Sequence, residues 1–296
     1  MDAAKWMRRV TSQLLDGHPS SEPADKYLFS VAYPLMAIRQ RTTAGSVVVW
    51  WERRRYPGAL PGGCADMADV DQGVAWRNLA LIAAVETLPQ GPPLGVCIGP
   101  VELACGDLSG IEAVSVARAA PKRQAEFLAG RACAHAALAS IGELCRSVPI
   151  GRDRAPVWPA GVVGSISHGA GLAGAIVGRT SCWQALGLDI EGAGPLPPGL
   201  GARVAREDEL ALCRTVGIAC DEAKLLFSIK EAVFKASWPL EGAFLNFADV
   251  GLTRLDASSR RFAAVVSRHG ARGKWEGVFA CVDGVVVAIA ARGVLY

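Results

Sequence analysis

The sequence predicts an α+β fold with antiparallel pairing, and three observations carry that expectation. From residue 94 onward, short apolar stretches of strand character stand in runs, strand next to strand, instead of alternating one by one with helices. Two long stretches, 121–141 and 221–237, carry the apolar spacing of helices that pack on a sheet. Near the end, Asp283-Gly284 separates two apolar β-branched runs, which is a strong hairpin signal.

The elements follow in order. Residues 4–15 read as a short amphipathic helix with Trp6, Val10, Leu14 and Leu15 on one face, and 17–25 as a Ser-, Pro- and acid-rich loop. Residues 47–51 are β-branched and aromatic, a strand closed by Arg53-Arg54-Arg55. The Gly, Pro and Asp of 57–73 read as a linker, and 74–88 as a helix stopped by Pro89. Next come a strand at 94–101, the helix 121–141, and strands at 162–167, 172–177 and 183–190. Helices at 206–216 and 221–237 lead into strands at 250–255, 261–267, 275–282 and 285–291. Residues 1–93 hold no motif and are expected to be an N-terminal extension of unknown role.

Composition narrows the function. The 31 basic and 28 acidic residues leave a net charge of +3, without the basic stripe that a nucleic-acid partner requires. No stretch approaches the ~20 apolar residues of a membrane span. The longest apolar run, 27–38, is broken by Pro34, and the basic start lacks the apolar core of a signal peptide. Nine cysteines, none in a C-x-x-C pair, read as small buried hydrophobes of a reducing compartment. A cytoplasmic monomer is expected, with no stable membrane insertion.

Three segments hold the chemistry. In Gly187-Leu188-Asp189-Ile190-Glu191 the strand period of two sends Asp189 and Glu191 to one face, with Leu186, Leu188 and Ile190 on the other. Paired carboxylates suit a hard divalent ion such as Mg²⁺, whose remaining ligands come from water and substrate phosphates. In Phe227-Ser228-Ile229-Lys230-Glu231-Ala232-Val233-Phe234-Lys235-Ala236, Glu231 and Lys235 lie one helical turn apart, with Lys230 beside them. Acids and lysines together describe a site for a phosphate ester or pyrophosphate. Gly164-Ser165-Ile166-Ser167-His168 invites a nucleophile–base reading, which is rejected because Ser167 lies in a strand without the sharp elbow of hydrolases.

These segments resemble, in this order, the 4′-phosphopantetheinyl transferases, in particular the group typified by the enterobactin-synthetase component D. Upstream, the Pro121-to-Arg131 helix and Arg154-Ala155-Pro156-Val157-Trp158-Pro159 match two further elements, so that the resemblance covers roughly 94–290. It implies two similar antiparallel-sheet-plus-helix subdomains, 94–185 and 186–296, in a pseudo-two-fold arrangement with the active site in the cleft between them. It implies transfer of the 4′-phosphopantetheine arm from coenzyme A to a serine of an apo acyl, aryl or peptidyl carrier protein, in secondary-metabolite pathways such as siderophore synthesis. Asp189, Glu191 and Glu231 then look like Mg²⁺ ligands, Glu231 also like a general base, and Lys235 like a catalytic phosphate partner. Arg123, Arg131, Arg154, Ser167, His168, Lys230 and Lys235 look like coenzyme A contacts. At His135 the family commonly carries a further arginine. Two rival readings stay open: a Mg²⁺-dependent hydrolase of coenzyme A or another nucleotide pyrophosphate, and a carrier-binding module without chemistry.

Overall fold

The computed structural model describes residues 36–43, 46–53, 94–103, 110–144, 147–151, 153–218, 220–268, 273–282 and 284–294. The helices expected at 4–15 and 74–88 and the loops at 17–25 and 57–73 lie outside the described residues. The first sheet contains β1 (Met36–Thr43), β2 (Ser46–Arg53), β3 (Leu94–Pro100), β4 (Val162–Gly169) and β5 (Leu172–Arg179), ordered β1-β2-β3-β5-β4. The second contains β6 (Trp183–Gly192), β7 (Val250–Asp256), β8 (Arg261–Val266), β9 (Gly273–Val282) and β10 (Val285–Gly293), ordered β6-β10-β9-β8-β7. Pairing is antiparallel throughout except between β2 and β3, which run parallel. Two strands from the segment read as an extension therefore continue the first sheet.

The strand period of two divides the core into layers. Leu94, Val96, Ile98, Leu172 and Ile176 of the first sheet meet Leu186, Leu188, Ile190, Val287 and Ile289 of the second, forming one apolar layer between the sheets. Each such side chain, fully buried, contributes about 1.5–3 kcal/mol relative to exposure. The alternate residues face outward onto helices. Cys97, Ala175 and Val177 pack with Ala134, Ala137 and Leu138 of α2 (Pro121–Ser140), which follows the short α1 (Gly110–Val116). Ala185, Val286, Ala288 and Ala290 pack with Leu225, Ile229, Ala232 and Ala236 of α5 (Glu222–Glu241), which α3 (Gly201–Val204) and α4 (Glu207–Val216) precede. Each half thus lays one twenty-residue helix across a five-stranded sheet, and the α+β expectation holds.

Several bounds differ from expectation for physical reasons. β6 runs on to Gly192, so Glu191 lies within the strand, paired with Val286 of β10. The last helix continues past Ser237 through Pro239 to a left-handed Gly242 cap, the proline forgoing one hydrogen bond to the Lys235 carbonyl. Helix α1 is absent from the sequence reading because its pattern is inverted: Ile111 and Val114 are exposed while Glu112 is buried.

Gly187 fixes the distance between β6 and α5. A Cβ there would stand 1.9 Å from the Ala232 carbonyl oxygen, so only glycine allows this approach. Gly187→Ala should push the helix outward and cost roughly 1–3 kcal/mol in urea unfolding. Gly192→Ala, with open space around it, should stay within about 0.5 kcal/mol. Equal stability of the two variants would mean that this contact does not set the helix position.

Candidate active site where β4, β6 and α5 meet

Because Gly187 admits the helix, the outward residues further along β6 come under α5. Asp189 is buried, and its Oδ1 accepts from Lys235 Nζ at 2.6 Å. Ser167, on β4, completes this contact. Its Oγ accepts from Lys235 Nζ at 3.0 Å and from Ile190 N–H at 3.2 Å, and donates to Asp189 Oδ1 at 3.4 Å. A hydroxyl has one proton and two lone pairs, so Ser167 is fully engaged as a positioning group. That agrees with rejecting it as a nucleophile. Glu191 Oε2 accepts from Lys224 Nζ at 3.3 Å. Glu231 completes the group: burial pushes its carboxyl above the usual range, Lys235 opposes this, and Asp189 and Glu191 reinforce it.

Whether these acids suit a hard divalent ion turns on the donors themselves. All are carboxylate oxygens, and Asp189 Oδ2 is buried without a hydrogen-bond partner, a costly state that a bound cation would relieve. Among the described residues, no three His, Cys, Asp or Glu side chains stand in a metal-binding array as they are, and two of these acids are turned onto lysines. The donor set fits the ion, with lysines in its place.

A second cluster lies across β4. Neighbouring strand residues point to opposite faces, so His168 faces α2 while Ser167 faces β6. His168 is hydrogen-bonded to Arg123 Nη1 and lies 3.5 Å from Glu126 Oε2. Burial holds its imidazole below the usual histidine range, Glu126 opposing and Arg123 and Lys235 adding to the effect. Arg131 sits two turns along α2, only 6% exposed, its guanidinium 4.3 Å from the Phe127 ring centroid. Burial lowers its pKa to about 10, which still leaves it charged at neutral pH. His135 donates through Nε2 to the buried Glu112 Oε1 at 3.1 Å, and the same oxygen also accepts the Val148 N–H at 2.8 Å. The histidine at the family's arginine position thus ties α2 to α1.

Arg154 is held in a left-handed turn at φ 69°, a conformation strained for a residue with a side chain. Gly151 N–H to Ala155 O at 2.8 Å and Arg154 N–H to Gly151 O at 3.0 Å close the turn. Trp238 Nε1 donates to Asp153 Oδ2 at 2.6 Å, which fastens the turn to α5 one helical turn beyond Lys235.

Lys230 is a correction. Its ammonium donates to Val204 O at 2.7 Å, Glu209 Oε2 at 2.8 Å and Phe247 O at 3.2 Å, so its three protons are spent far inside the second half. Burial pushes its pKa down and Glu209 opposes this. Adjacent helix positions diverge by about 100°, which sends Glu231 to β6 and Lys230 to α4. Sequence reading missed Lys224, although it lies seven residues before Glu231, two turns along the same face.

Two family models match this chain. The 4′-phosphopantetheinyl transferase N-terminal domain covers residues 111–178, and the 4′-phosphopantetheinyl transferase superfamily covers 185–290. The transferase Svp of Streptomyces mobaraensis is 40% identical over 186 residues, which is 60% of this chain and 75% of Svp. This chain belongs to the 4′-phosphopantetheinyl transferase superfamily. Other members similar to it are Npt of Nocardia iowensis, 36% identical over 47% of this chain and 62% of Npt, and the enterobactin synthase component D of Escherichia coli K12, 44% identical over 39% and 55%. All five elements of the sequence resemblance lie within or beside the matched segments, and Asp189, Glu191, Glu231 and Lys235 fall in the second.

Lys230→Met separates a core role from a phosphate role. Losing one member of a buried ion pair should cost about 3–5 kcal/mol by denaturant unfolding, because Glu209 is left charged without a partner. Lys230→Met with Glu209→Leu should recover much of that. Full stability with weakened coenzyme A binding would return Lys230 to the ligand set.

Proposed function

We propose that this transferase moves the 4′-phosphopantetheine arm of coenzyme A onto a serine hydroxyl of an apo carrier protein and releases adenosine 3′,5′-bisphosphate. The observation that carries the reading is the convergence of Asp189 and Glu191 from β6 with Glu231 and Lys235 from α5, in a chain of this superfamily. Svp, Npt and component D are named for the same chemistry or for enterobactin synthesis. The nucleophile belongs to the partner, which accords with Ser167 being fully engaged. Coenzyme A would lie where β4 meets β6, between the halves formed by 94–185 and 186–296.

Asp189, Glu191 and Glu231 would hold Mg²⁺, which supplies charge neutralisation for the pyrophosphate. The residues of the chain do the rest. Glu231, held above the ordinary carboxylate range by burial, accepts the proton of the carrier serine as its oxygen bonds to the phosphorus of the arm. The bond broken joins that phosphorus to the oxygen bridging to the adenosine 5′-phosphate. Lys235, part-exposed at 28%, turns from Asp189 to the departing phosphate. Arg123 and His168 bind the adenosine 3′-phosphate, with Arg154 approaching from its turn. Arg131 supports them from within α2 as a buried positive charge.

Mass spectrometry of apo carrier domains incubated with enzyme, Mg²⁺ and coenzyme A should show the added arm. Glu231→Gln should slow transfer by roughly 10²–10⁴-fold, the usual contribution of a positioned base. Steady coenzyme A turnover without a carrier would make the chain a hydrolase instead. Carrier binding with no modification would make it a docking module.

The 3′-phosphate assignment has a thermodynamic test. Partial burial holds the His168 imidazole below the usual histidine range in the free protein, and a bound phosphate favours its imidazolium. Coenzyme A binding should therefore take up a proton near neutral pH and tighten as pH falls through the histidine range. Calorimetry in buffers of different ionisation heat measures this uptake, which should be lost in His168→Asn and with 3′-dephospho-coenzyme A. Identical proton uptake with both donors would remove His168 from the 3′-phosphate.

A further inference from the structure

Three charged residues face β6 from one side of α5: Lys224, Glu231 and Lys235. Lys224 has no part in the reaction as set out above. Its ammonium lies 3.3 Å from Glu191 Oε2, and its side chain is only 12% exposed. It is held from two further directions. Its backbone N–H donates to Oδ1 of the helix cap Asp221 at 2.9 Å. Its Nζ sits 5.5 Å from the Phe227 ring centroid, within cation–π range. The lysine is therefore anchored in place beside Glu191.

Lys235 stands on Asp189 in the same way at 2.6 Å, so each acid of the strand carries one ammonium. The charges do not balance fully, because Glu231 adds a third carboxylate and Asp189 Oδ2 remains buried without a partner. A divalent cation entering here finds one free oxygen on Asp189 and a lysine already on Glu191. Cations on one carboxylate compete, and the competition is stronger in a part-buried site than in water.

We propose that Lys224 is the resident counter-cation of Glu191, which a divalent ion must displace. Lys224 then stabilises the unloaded protein and lowers the affinity for the ion. The inference rests on reading Asp189 and Glu191 as a cation site. Its signature is thermodynamic linkage: what the unloaded protein loses when the lysine is removed, the ion regains on binding. A lysine with a merely structural role would stabilise loaded and unloaded forms equally.

The test uses the full chain, Mn²⁺ as probe, and three variants. Mn²⁺ binding is measured by paramagnetic resonance of the free ion, and unfolding by calorimetry with and without saturating Mn²⁺. Lys224→Gln should bind Mn²⁺ about fivefold tighter, and Lys224→Arg should stay within about twofold of wild type, as a part-exposed ion pair allows. Lys224→Gln should unfold at lower temperature than wild type without Mn²⁺ and at the same temperature with it. Equal or weaker Mn²⁺ binding in Lys224→Gln, or a Tm lowered equally in both conditions, would overturn the proposal. Asp189→Asn distinguishes the two levels of inference. Wild-type binding that Asp189→Asn abolishes, together with unchanged Lys224→Gln affinity, overturns the role of Lys224 alone. Absence of any wild-type binding that depends on Asp189 overturns the cation site and the counter-cation together.

Discussion

The contact between the Gly187 backbone and the Ala232 carbonyl is the constraint from which the site follows. A strand and a helix normally keep their distance because side chains fill the space between them. Here the side chain is absent at one point, and α5 comes down onto β6. Asp189 and Glu191 lie two and four residues along the same face of the strand, so they pass beneath Lys235, Glu231 and Lys224. None of these polar groups chooses its position alone. Each is carried there by apolar packing: Leu225, Ile229 and Val233 hold the helix, and Leu186, Leu188 and Ile190 hold the strand from its opposite face.

Gathering three carboxylates where β6 meets α5 is unfavourable, and the protein answers with two kinds of lysine. Lys235 and Lys224 lie against the strand acids, with more of the Lys235 side chain exposed than of Lys224. In the proposed reaction they leave, water or a phosphate taking over their hydrogen bonds. Lys230 does not. It is sealed among α3, α4 and the turn before β7, where Glu209 also receives the N–H groups of Arg206 and Leu252. This buried pair fixes the rotation of α5 about its axis, and Glu231 inherits the result. A structural lysine and a carboxylate of the candidate site thus stand side by side in sequence while facing different surroundings.

Much of this was legible in the sequence, and the failures have definite causes. The strand period gave the Asp189–Glu191 face, and the helical turn gave the Glu231–Lys235 pair, because both depend only on local geometry. Lys230 was misassigned because its partner Glu209 is twenty-one residues away on another helix, a distance that no local period encodes. Lys224 was overlooked despite its helical spacing, since an isolated lysine near a helix start usually faces solvent. Helix α1 escaped because its apolar residues point outward and its glutamate inward. Strand β1 escaped because Arg39, Gln40 and Arg41 are polar in succession and break the alternation, while its backbone pairing with β2 supplies what its own pattern lacks.

The joint that brings β6 and α5 together occurs a second time. A Cβ on Gly95 of β3 would stand 2.2 Å from the Ala137 carbonyl oxygen of α2, the same close approach in the other half. Counting two and four residues onward gives Cys97 and Gly99, where the second half has Asp189 and Glu191. Cys97 is packed into the apolar layer under α2. The repeated joint is therefore electrically neutral in one copy and anionic in the other. The same packing device carries carboxylates at one joint and none at the other. Of these two joints the one at Gly95 is closed by apolar packing, and the one at Gly187 is where acids gather.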